Sequence, residues 1–273
     1  MIAVEARGRL GNQMFQFAFG LAASARLGTD FAMSDALLRT HFRLDPWSAP
    51  LRTARRAFRY RARRWLSPFP VTKVAGDAEP DSVLASLVDG THYDGFFQSE
   101  RYFAGADNLV RRAFEPHAAH LAAFRARYGD LIRSPYVCCH VRHTDYAQWL
   151  GGVALPLSYY RDSLRQAGVA AETPVVFVGD DLAEVEEEFG GRPGVHLEHN
   201  AEIFDLLLLK HAGTVVTSNS SFGWWGAWLG GPGRRVFAPR HWLGFRGDHD
   251  IPRAVVPPRW TEVAVAAART ATS

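Results

Sequence analysis

The sequence predicts an α/β protein built from parallel sheets. Residues 136–141 and 174–178 are short and almost continuously apolar, which is typical of strands that are buried on both faces of a parallel sheet. Strand-like and helix-like segments then alternate up to about residue 240, and this alternation favours βαβ units. At the N-terminus an apolar strand, a glycine-containing turn and a helix follow in the same order.

The N-terminal half is predicted to form a first α/β domain. Residues 2–6 form its first strand, and the turn Gly8–Gln13 leads into a helix over residues 14–27, where apolar side chains recur near helical spacing. The turn does not match the GxGxxG pattern of dinucleotide-binding folds. Residues 93–100 are predicted to be strand or loop, and residues 105–129 a helix.

The C-terminal half is predicted to form a second α/β domain. Ser134 and Pro135 interrupt the helical pattern, so the domains are expected to be residues 1–133 and 134–273, with the C-terminal tail packing back on the first. The strands of the second domain are expected at 136–141, 174–178, 214–217 and 236–238, with helices at 156–167, 182–189, 202–211 and from 220 onward.

The composition indicates a folded protein. Of 273 residues, 47% are hydrophobic and 22% are charged, which excludes a disordered chain. A net charge of +3 is too weak to favour nucleic acid. Cys138 and Cys139 are neighbours that point to opposite faces of a strand, so they are expected to fill apolar space in a reducing compartment and not to form a disulfide.

The sequence shows neither a signal peptide nor an apolar run long enough for a membrane span, so a cytoplasmic protein is expected. Residues 52–64, however, carry seven arginines. A solvated helix face is the ordinary explanation for such a run. The alternative is a peripheral contact with anionic lipid at the inner face of the membrane. The seven are Arg52, Arg55, Arg56, Arg59, Arg61, Arg63 and Arg64.

Polar segments follow four of the predicted strands. In open parallel sheets, ligands bind at the carboxyl ends of the strands. These segments are therefore the candidates for chemistry: Gly8–Gln13, His140–Tyr146, Gly179–Asp181 and Ser218–Ser221.

The segments after the 136–141 and 174–178 strands are rich in charge. Arg142 can hold a phosphate bidentately and stays charged at any working pH. Asp145 can orient Arg142 or His140, or act as a base, and a structural ion pair at the strand end is the alternative. Asp180 and Asp181 can accept hydrogen bonds from a nucleobase or a sugar, or cap the next helix. Two adjacent aspartates alone are weak evidence for a metal site.

The segment Ser218–Leu229 places three tryptophans directly after a run of small polar residues. One interpretation is a helix N-terminus that holds a phosphate-bearing ligand. The other is an N-cap followed by a buried aromatic helix.

Several segments together carry a family resemblance. They are Gly8-Arg9-Leu10-Gly11-Asn12-Gln13-Met14-Phe15-Gln16, the pattern of His140, Arg142 and Asp145, and the run Ser218–Leu229, together with Phe97–Phe103 and Asp205-Leu206. In these motifs and their order, from Gly8 to about Trp242, the chain resembles the family 11 glycosyltransferases, the bacterial-type α-1,2-fucosyltransferases.

The resemblance implies a GT-B fold with two facing Rossmann-like domains, the first on the acceptor side and the second binding the GDP-sugar. It implies inverting transfer of L-fucose from GDP-fucose to a galactose 2-hydroxyl, with no cofactor and no essential metal. The expected acceptor is a galactose-containing glycan or a lipid-linked oligosaccharide, as in polysaccharide biosynthesis.

The resemblance also implies roles for single residues. Arg142 would hold the β-phosphate and stabilise the departing GDP, since a fixed guanidinium offsets the charge that builds on the leaving oxygens. Asn12 would lie near the phosphate and the fucose, and Asp145 is the candidate general base. The predicted catalytic residues are thus Arg142, Asp145 and Asn12. The predicted donor-binding residues are Gly11, Asn12, Gln13, His140, Arg142, Asp180, Asp181, Asn219, Ser220 and Ser221.

Two positions depart from the family pattern. His143 stands where the family usually has arginine, and Arg9 stands where many members have glycine. A histidine still donates, but its charge titrates near neutrality. Two alternatives stay open: transfer of another GDP-6-deoxyhexose, and a non-catalytic glycan-binding protein of the same fold.

Overall fold

The computed structural model describes residues 1–45 and 69–266. It divides the chain into two compact units, one of Met1–Leu121 with Pro252–Val255, the other of Ala122–Ile251 with the chain from Val256 onward. The first boundary lies twelve residues before the one expected from the sequence at 133/134. The arginine cluster of residues 52–64 lies outside the described residues.

The first unit contains a four-stranded sheet in which every pairing is parallel. In chain order its strands are β1 (Ile2–Val4), β2 (Phe31–Ala32), β3 (Val71–Lys73) and β4 (His92–Asp94), and their spatial order is β2-β1-β4-β3. Its helices are α1 (Leu10–Arg26), α2 (Ala36–His41), α3 (Pro80–Ala85) and α4 (Asp107–Ala113).

Helix α1 begins at Leu10, four residues before the predicted start at residue 14. Gly8, with a φ of +73°, makes the turn, and the chain is helical two residues later. Gly11, Asn12 and Gln13 therefore belong to the first turn of a helix, and the prediction of a turn over Gly8–Gln13 is wrong from Leu10 onward.

The helix predicted over residues 105–129 is also wrong, because two helices occupy this stretch. Helix α4 ends at Ala113, and α5 runs over Ala118–Tyr128 and crosses the unit boundary. Pro116 lies between them and pairs with Phe42 in an antiparallel bridge. Proline lacks the N–H that a continuous helix would need, so the helix is interrupted here.

The second unit contains a six-stranded, wholly parallel sheet. Its strands are β5 (Val137–Val141), β6 (Val175–Gly179), β7 (Val195–Glu198), β8 (Thr214–Val216), β9 (Arg235–Pro239) and β10 (Thr261–Val263). Its remaining helices are α6 (Leu157–Gln166), α7 (Ala183–Phe189), α8 (Glu202–His211) and α9 (Ser221–Leu229).

The spatial order of these strands is β7-β6-β5-β8-β9-β10. If β5 is counted as strand 1, this is the 3-2-1-4-5-6 order of the doubly wound dinucleotide-binding fold. The strand order reverses between β5 and β8, and this switch point is where such sheets bind ligands. The prediction of an α/β fold with parallel sheets is confirmed.

Strand β5 is buried along its whole length. Cys138 and Cys139 lie in it as free thiols, and burial raises the pKa of both. They therefore act as small apolar side chains. No helix among the described residues is long and apolar enough to cross a bilayer.

Candidate functional site

The switch point of the second unit is bridged by a side-chain hydrogen bond. His140, near the end of β5, lies with Nδ1 2.7 Å from Oγ of Ser218, just after β8. Burial, and then the positive charge of Arg142, lower the pKa of His140 to about 3. The imidazole is therefore neutral at physiological pH, with one ring nitrogen as donor and the other as acceptor.

A close approach of α9 holds the His140 ring in place. Gly223 stands where a Cβ atom would lie 2.9 Å from Nδ1 of His140, so only glycine lets the helix come this near. Phe222 packs on the same ring with centroids 5.4 Å apart. The glycine and the aromatic residue in the helix thus fix the orientation of His140.

Arg142, one residue beyond β5, lies between two carboxylates. Its Nη2 is 2.8 Å from each oxygen of Asp145, and its Nη1 is 2.9 Å from Oδ2 of Asp180. The Asp145 side chain is 53% exposed, whereas that of Asp180 is 18% exposed. The ring of Tyr146 lies 5.6 Å from the guanidinium carbon. The strand-end ion pair considered from the sequence is therefore present in this structure.

Asp180 is held by more donors than Arg142 alone. The backbone N–H of His143 donates to it at 2.9 Å, and the hydroxyl of Thr144 donates as well. Burial alone raises the pKa of Asp180, but Thr144, His143 and Arg142 together lower it below its usual value. The carboxylate stays ionised and anchors the loop that carries Arg142.

Gly179 lets β6 bring Asp180 to this position. It pairs with Val141, and a Cβ atom at Gly179 would lie 2.2 Å from the carbonyl oxygen of Val141. A side chain here would push the strands apart. The spacing between Arg142 and Asp180 thus depends on a glycine in the strand.

Asp181, the neighbour of Asp180, contacts the start of a helix instead of Arg142. Its Oδ1 accepts from the N–H of Ala183 at 3.1 Å, at the start of α7. Of the two aspartates, Asp181 is therefore the one at the helix start and Asp180 the one in contact with Arg142.

His143, which departs from the family pattern, donates from Nε2 to the carbonyl oxygen of Leu155 at 3.1 Å.

The segment after β8 is largely buried. Ser220 caps α9 by accepting from the N–H of Phe222, and the three tryptophans of the helix are buried. Asn219 donates from Nδ2 to the carbonyl oxygen of Val153 at 2.8 Å and so holds the loop after β5. The structure thus shows an N-cap followed by a buried aromatic helix. Ser221 occupies the first turn of α9, where backbone N–H groups favour an anion.

Another buried carboxylate lies in α8. Asp205 accepts from Nδ2 of Asn200 at 3.0 Å. Burial, helped by the charge of Glu198, raises the pKa of Asp205 to about 7. In the sequence, Asp205 is distinguished only as part of a family segment.

In the first unit, Asn12 contacts Gln98, which was not predicted to be a site residue. Gln98 donates from Nε2 to Oδ1 of Asn12 at 2.7 Å. Gln98 follows Phe97, whose φ of +53° is strained for a non-glycine residue. Phe97 is fixed by stacking on Phe19 at 3.8 Å. Gln13 donates to the carbonyl oxygen of Gly8 at 3.0 Å.

The predicted site residues thus fall into two groups. His140, Arg142, Asp145 and Asp180 are joined by contacts at the switch point of the second unit, with Ser218 and Thr144 as additional members. Gly11, Asn12 and Gln13 lie in the first unit. Ser218, Thr144 and Gln98 all lay in segments that the sequence singled out, Ser218 in the polar run after β8, Thr144 in His140–Tyr146 and Gln98 in Phe97–Phe103, but none was predicted as a site residue.

A pocket of about 340 Å³ opens beside the Arg142 loop. Its lining combines apolar side chains with charged and polar ones, among them His143, Thr144, Asp181, Glu184 and Arg246.

No group of three or more His, Cys, Asp or Glu suited to a metal ion occurs in residues 1–45 and 69–266. That no metal is needed stays a prediction.

Known proteins resemble this chain in sequence. An α-1,2-colitosyltransferase from Escherichia coli is 28% identical over 255 residues, covering 84% of this chain and 87% of the relative. The O-antigen biosynthesis glycosyltransferase WbnK, also from Escherichia coli, is 31% identical over 131 residues, covering 46% of this chain and 40% of the relative.

A solved structure resembles it in fold. The fucosyltransferase NodZ from Bradyrhizobium matches with a TM-score of 0.54 at 14% identity, covering 84% of this chain and 91% of that one. This likeness supports the GT-B class. The sequence model described as "Glycosyl transferase family 11" matches residues 1–244. With the motifs at Gly8, His140 and Ser218 inside that match, the chain belongs to glycosyl transferase family 11.

Proposed function

We propose that this glycosyltransferase moves L-fucose from GDP-fucose to the 2-hydroxyl of a galactoside, with inversion at the fucose carbon. The observation that carries the proposal is the position of Arg142. Its guanidinium stands at the carboxyl end of β5, beside the switch point of a doubly wound sheet, where phosphate-bearing ligands bind. Two carboxylates hold it there.

In the proposed reaction, the acceptor oxygen attacks C1 of the fucose while the bond from C1 to the β-phosphate oxygen breaks. The electron pair of that bond leaves with GDP. Negative charge therefore grows on the phosphate, and a guanidinium already in place stabilises it without reorganisation. The hydroxyl proton passes to a base.

Asp145 is the proposed base, and its contact with Arg142 suggests how it becomes available. Asp145 is the more exposed of the two carboxylates on Arg142. A β-phosphate that binds the guanidinium would replace Asp145 more easily than Asp180, which also accepts from His143 and Thr144. Donor binding would then release the carboxylate that takes the proton.

The other predicted residues are assigned supporting parts. The first turns of α1 and α9 supply backbone N–H groups that favour an anion, through Gly11, Asn12 and Gln13 in one and Ser220 and Ser221 in the other. His140 is a neutral hydrogen-bonding group, and Asp180 positions Arg142. Asp181 and Asn219 hold the loops of the site.

A second candidate donor is favoured by a specific observation. The relative that covers most of this chain is named an α-1,2-colitosyltransferase, not a fucosyltransferase. Transfer of colitose, or of another 6-deoxyhexose carried by GDP, would use the same guanidinium and leave the same GDP. With this second donor the product would keep the α-1,2 linkage, and only the part of the site that binds the transferred sugar would differ.

The decisive experiment titrates GDP and GDP-fucose into the wild type and into Arg142→Ala, and then follows GDP release with a panel of β-galactosides. We expect GDP to bind the wild type and to bind the variant at least tenfold more weakly, roughly the loss of one charge-assisted contact. Arg142→Lys keeps the charge without the bidentate geometry and should recover only part of the binding.

Other results of this experiment would favour the alternatives. GDP binding without release for any β-galactoside would favour a non-catalytic glycan-binding protein. Faster release from another GDP-6-deoxyhexose than from GDP-fucose would favour the second donor. If the wild type binds no guanine nucleotide, both proposed donors, GDP-fucose and another GDP-6-deoxyhexose, are ruled out. NMR of the product gives the anomeric configuration and the hydroxyl that is substituted.

The acceptor and the place of action are proposals as well. A galactose-containing glycan or a lipid-linked oligosaccharide would bring the reaction to the cytoplasmic face of a membrane. Arg52 to Arg64 would then supply a peripheral contact with anionic lipid.

A further inference from the structure

The loop after Arg142 ends in an exposed apolar tip. Trp149 is 45% exposed and Leu150 is 63% exposed. This is unlike the other tryptophans that the structure describes, all of which are buried. Tryptophan is enriched at interfaces, so an indole left in water beside a candidate active site is a candidate binding surface. The buried tryptophans are Trp224, Trp225, Trp228, Trp242 and Trp260.

The backbone of this tip is strained. Leu150, Gly151 and Gly152 have φ values of 50°, 75° and 89° in succession. For leucine this conformation is costly, by about 1–3 kcal/mol, and such strain persists only where the surrounding structure imposes it. A Cβ atom at Gly152 would lie 2.9 Å from the carbonyl oxygen of Ala147. The chain thus turns sharply enough to present the indole outward.

Several contacts fix the strained tip. Arg246 donates from Nη1 to the carbonyl oxygen of Gly151 at 2.7 Å. The N–H of Val153 donates to the carbonyl oxygen of Tyr146 at 2.8 Å, and Asn219 holds Val153 from the other side. The backbone next to Trp149 is therefore held in place, which lowers the entropic cost of binding a ligand at the tip.

A row of rings connects the indole to the proposed reaction centre. The Trp149 ring lies 5.2 Å from the Tyr146 ring, whose centroid is 5.6 Å from the guanidinium carbon of Arg142, so Trp149 lies within about 11 Å of that carbon. A sugar stacked on Trp149 would be close to a group held by Arg142, without occupying its phosphate position. The same loop, through Ala147, lines the pocket beside it.

We propose that Trp149 is the platform on which a pyranose ring of the acceptor glycan stacks. The second unit would then contribute to acceptor binding, in addition to the first unit that the family resemblance places on the acceptor side. Galactose has one face of C–H groups, and such a face fits the electron-rich face of an indole. The inference rests on the proposed function for the identity of the sugar. Its evidence is separate from the donor chemistry: the indole is exposed, the backbone next to it is strained and braced, and only the Tyr146 ring lies between it and Arg142.

The test uses the full chain with lactose as the acceptor probe. Saturation-transfer NMR measures lactose binding, and GDP release from GDP-fucose measures transfer. We expect Trp149→Ala to raise the KM for lactose about tenfold and to remove most of the saturation transfer to the galactose C–H protons, while kcat and the KM for GDP-fucose stay within about twofold.

Two further variants separate stacking from bulk. Trp149→Phe keeps a ring and should recover much of the lactose binding, whereas Trp149→Leu keeps only apolar volume and should resemble the alanine variant. Val88→Ala, which truncates an exposed apolar side chain in the first unit, should change nothing. Equal thermal midpoints would show that each variant is folded.

Several results would overturn the inference. They are lactose binding that does not change in Trp149→Ala, a rise in the KM for GDP-fucose alone, and a wild type that gives lactose no saturation transfer. Loss of binding to phosphatidylglycerol vesicles with lactose binding intact would assign the tip to a lipid surface instead. Lactose that binds through Trp149 without any turnover would contradict the proposed function and leave this inference standing.

Discussion

Nη1 of Arg142 lies 2.9 Å from Oδ2 of Asp180, although the two residues come from different strand ends. Asp180 is also the acceptor for His143 and Thr144, so it ties the guanidinium to the loop on which it stands. The position of Arg142 therefore depends on a residue from the neighbouring strand as much as on its own.

Replacing Asp180 should disturb the site more than replacing Asp145. Asp180→Asn weakens three hydrogen bonds to a mostly buried group, so we expect a loss of about 1–3 kcal/mol in the free energy of unfolding. The Kd for GDP should rise about tenfold or more, since each 1.4 kcal/mol is a factor of ten. Urea unfolding and calorimetric titration measure the two effects.

Asp145→Asn is the matched control for stability, because Asp145 is exposed and pairs with the same guanidinium. We expect a change within about 0.5 kcal/mol. If Asp145 is the base, kcat should nevertheless fall by about 10²–10⁴-fold. Equal losses of stability in the two variants would contradict the anchoring role of Asp180.

Gly179→Ala should damage the site through the backbone. The new methyl group would meet the carbonyl oxygen of Val141, which cannot move without separating β5 from β6. We expect a loss of about 1–3 kcal/mol, typical of overpacking, together with weaker GDP binding. Gly233→Ala is the control, since open space surrounds that position. A fully stable Gly179→Ala that binds GDP normally would show that the strands tolerate wider spacing.

Asp205 and His140 should make opposite contributions to the pH dependence of stability. The pKa of Asp205 rises to about 7 in the folded chain, so its stabilising contribution is complete below pH 4 and is lost as the pH rises to 7. The pKa of His140 falls to about 3, so its contribution is complete above pH 6.5 and is lost as the pH falls. Between pH 4 and 6.5 the two slopes, each of about 1.4 kcal/mol per pH unit, should largely cancel.

Single variants should expose each slope. Relative to the wild type, Asp205→Asn should become more stable as the pH rises from 4 to 7, and His140→Gln should become less stable over pH 4 to 6.5. Urea midpoints at half-unit pH intervals would reveal both trends. Parallel curves for a variant and the wild type would mean that the replaced group titrates normally in the folded state.

Gln98 should act on the donor through Asn12. Because Nε2 of Gln98 donates to Oδ1 of Asn12, Gln98→Ala is expected to raise the KM for GDP-fucose. In a double-mutant cycle with Asn12→Ala, the two effects should be non-additive by about 0.5–3 kcal/mol, as for residues in direct contact. Additive losses would show that Gln98 does not position Asn12.

The sequence predicted the parts of the fold that leave a strong pattern. Strands β5 and β6 are buried on both faces, so their apolar runs were visible. Strand β2 has two residues, and β3 is exposed throughout, so neither has a recognisable period. The break in residues 105–129 depended on Pro116, whose effect the apolar pattern around it concealed.

Within the site, residue types were easier to predict than partners. The Arg142 motif was evident, but its contact with Asp180 spans strands and depends on Gly179. Asp180 and Asp181 are chemically identical neighbours, and only the geometry of β6 and α7 separates the one that holds an arginine from the one at a helix start. The exposure of Trp149 is likewise decided by three consecutive backbone conformations that no local sequence pattern specifies.

The brief return of residues 252–255 to the first unit bears on how the chain folds during synthesis. Ser99 of that unit donates to the carbonyl oxygen of Ala254 at 2.7 Å, and β10 completes the other sheet only a few residues later. Domains usually fold one after another as the chain emerges from the ribosome. Here the first unit takes in a segment that is synthesised only after five of the six strands of the other sheet, so the first unit cannot be completed well before the second.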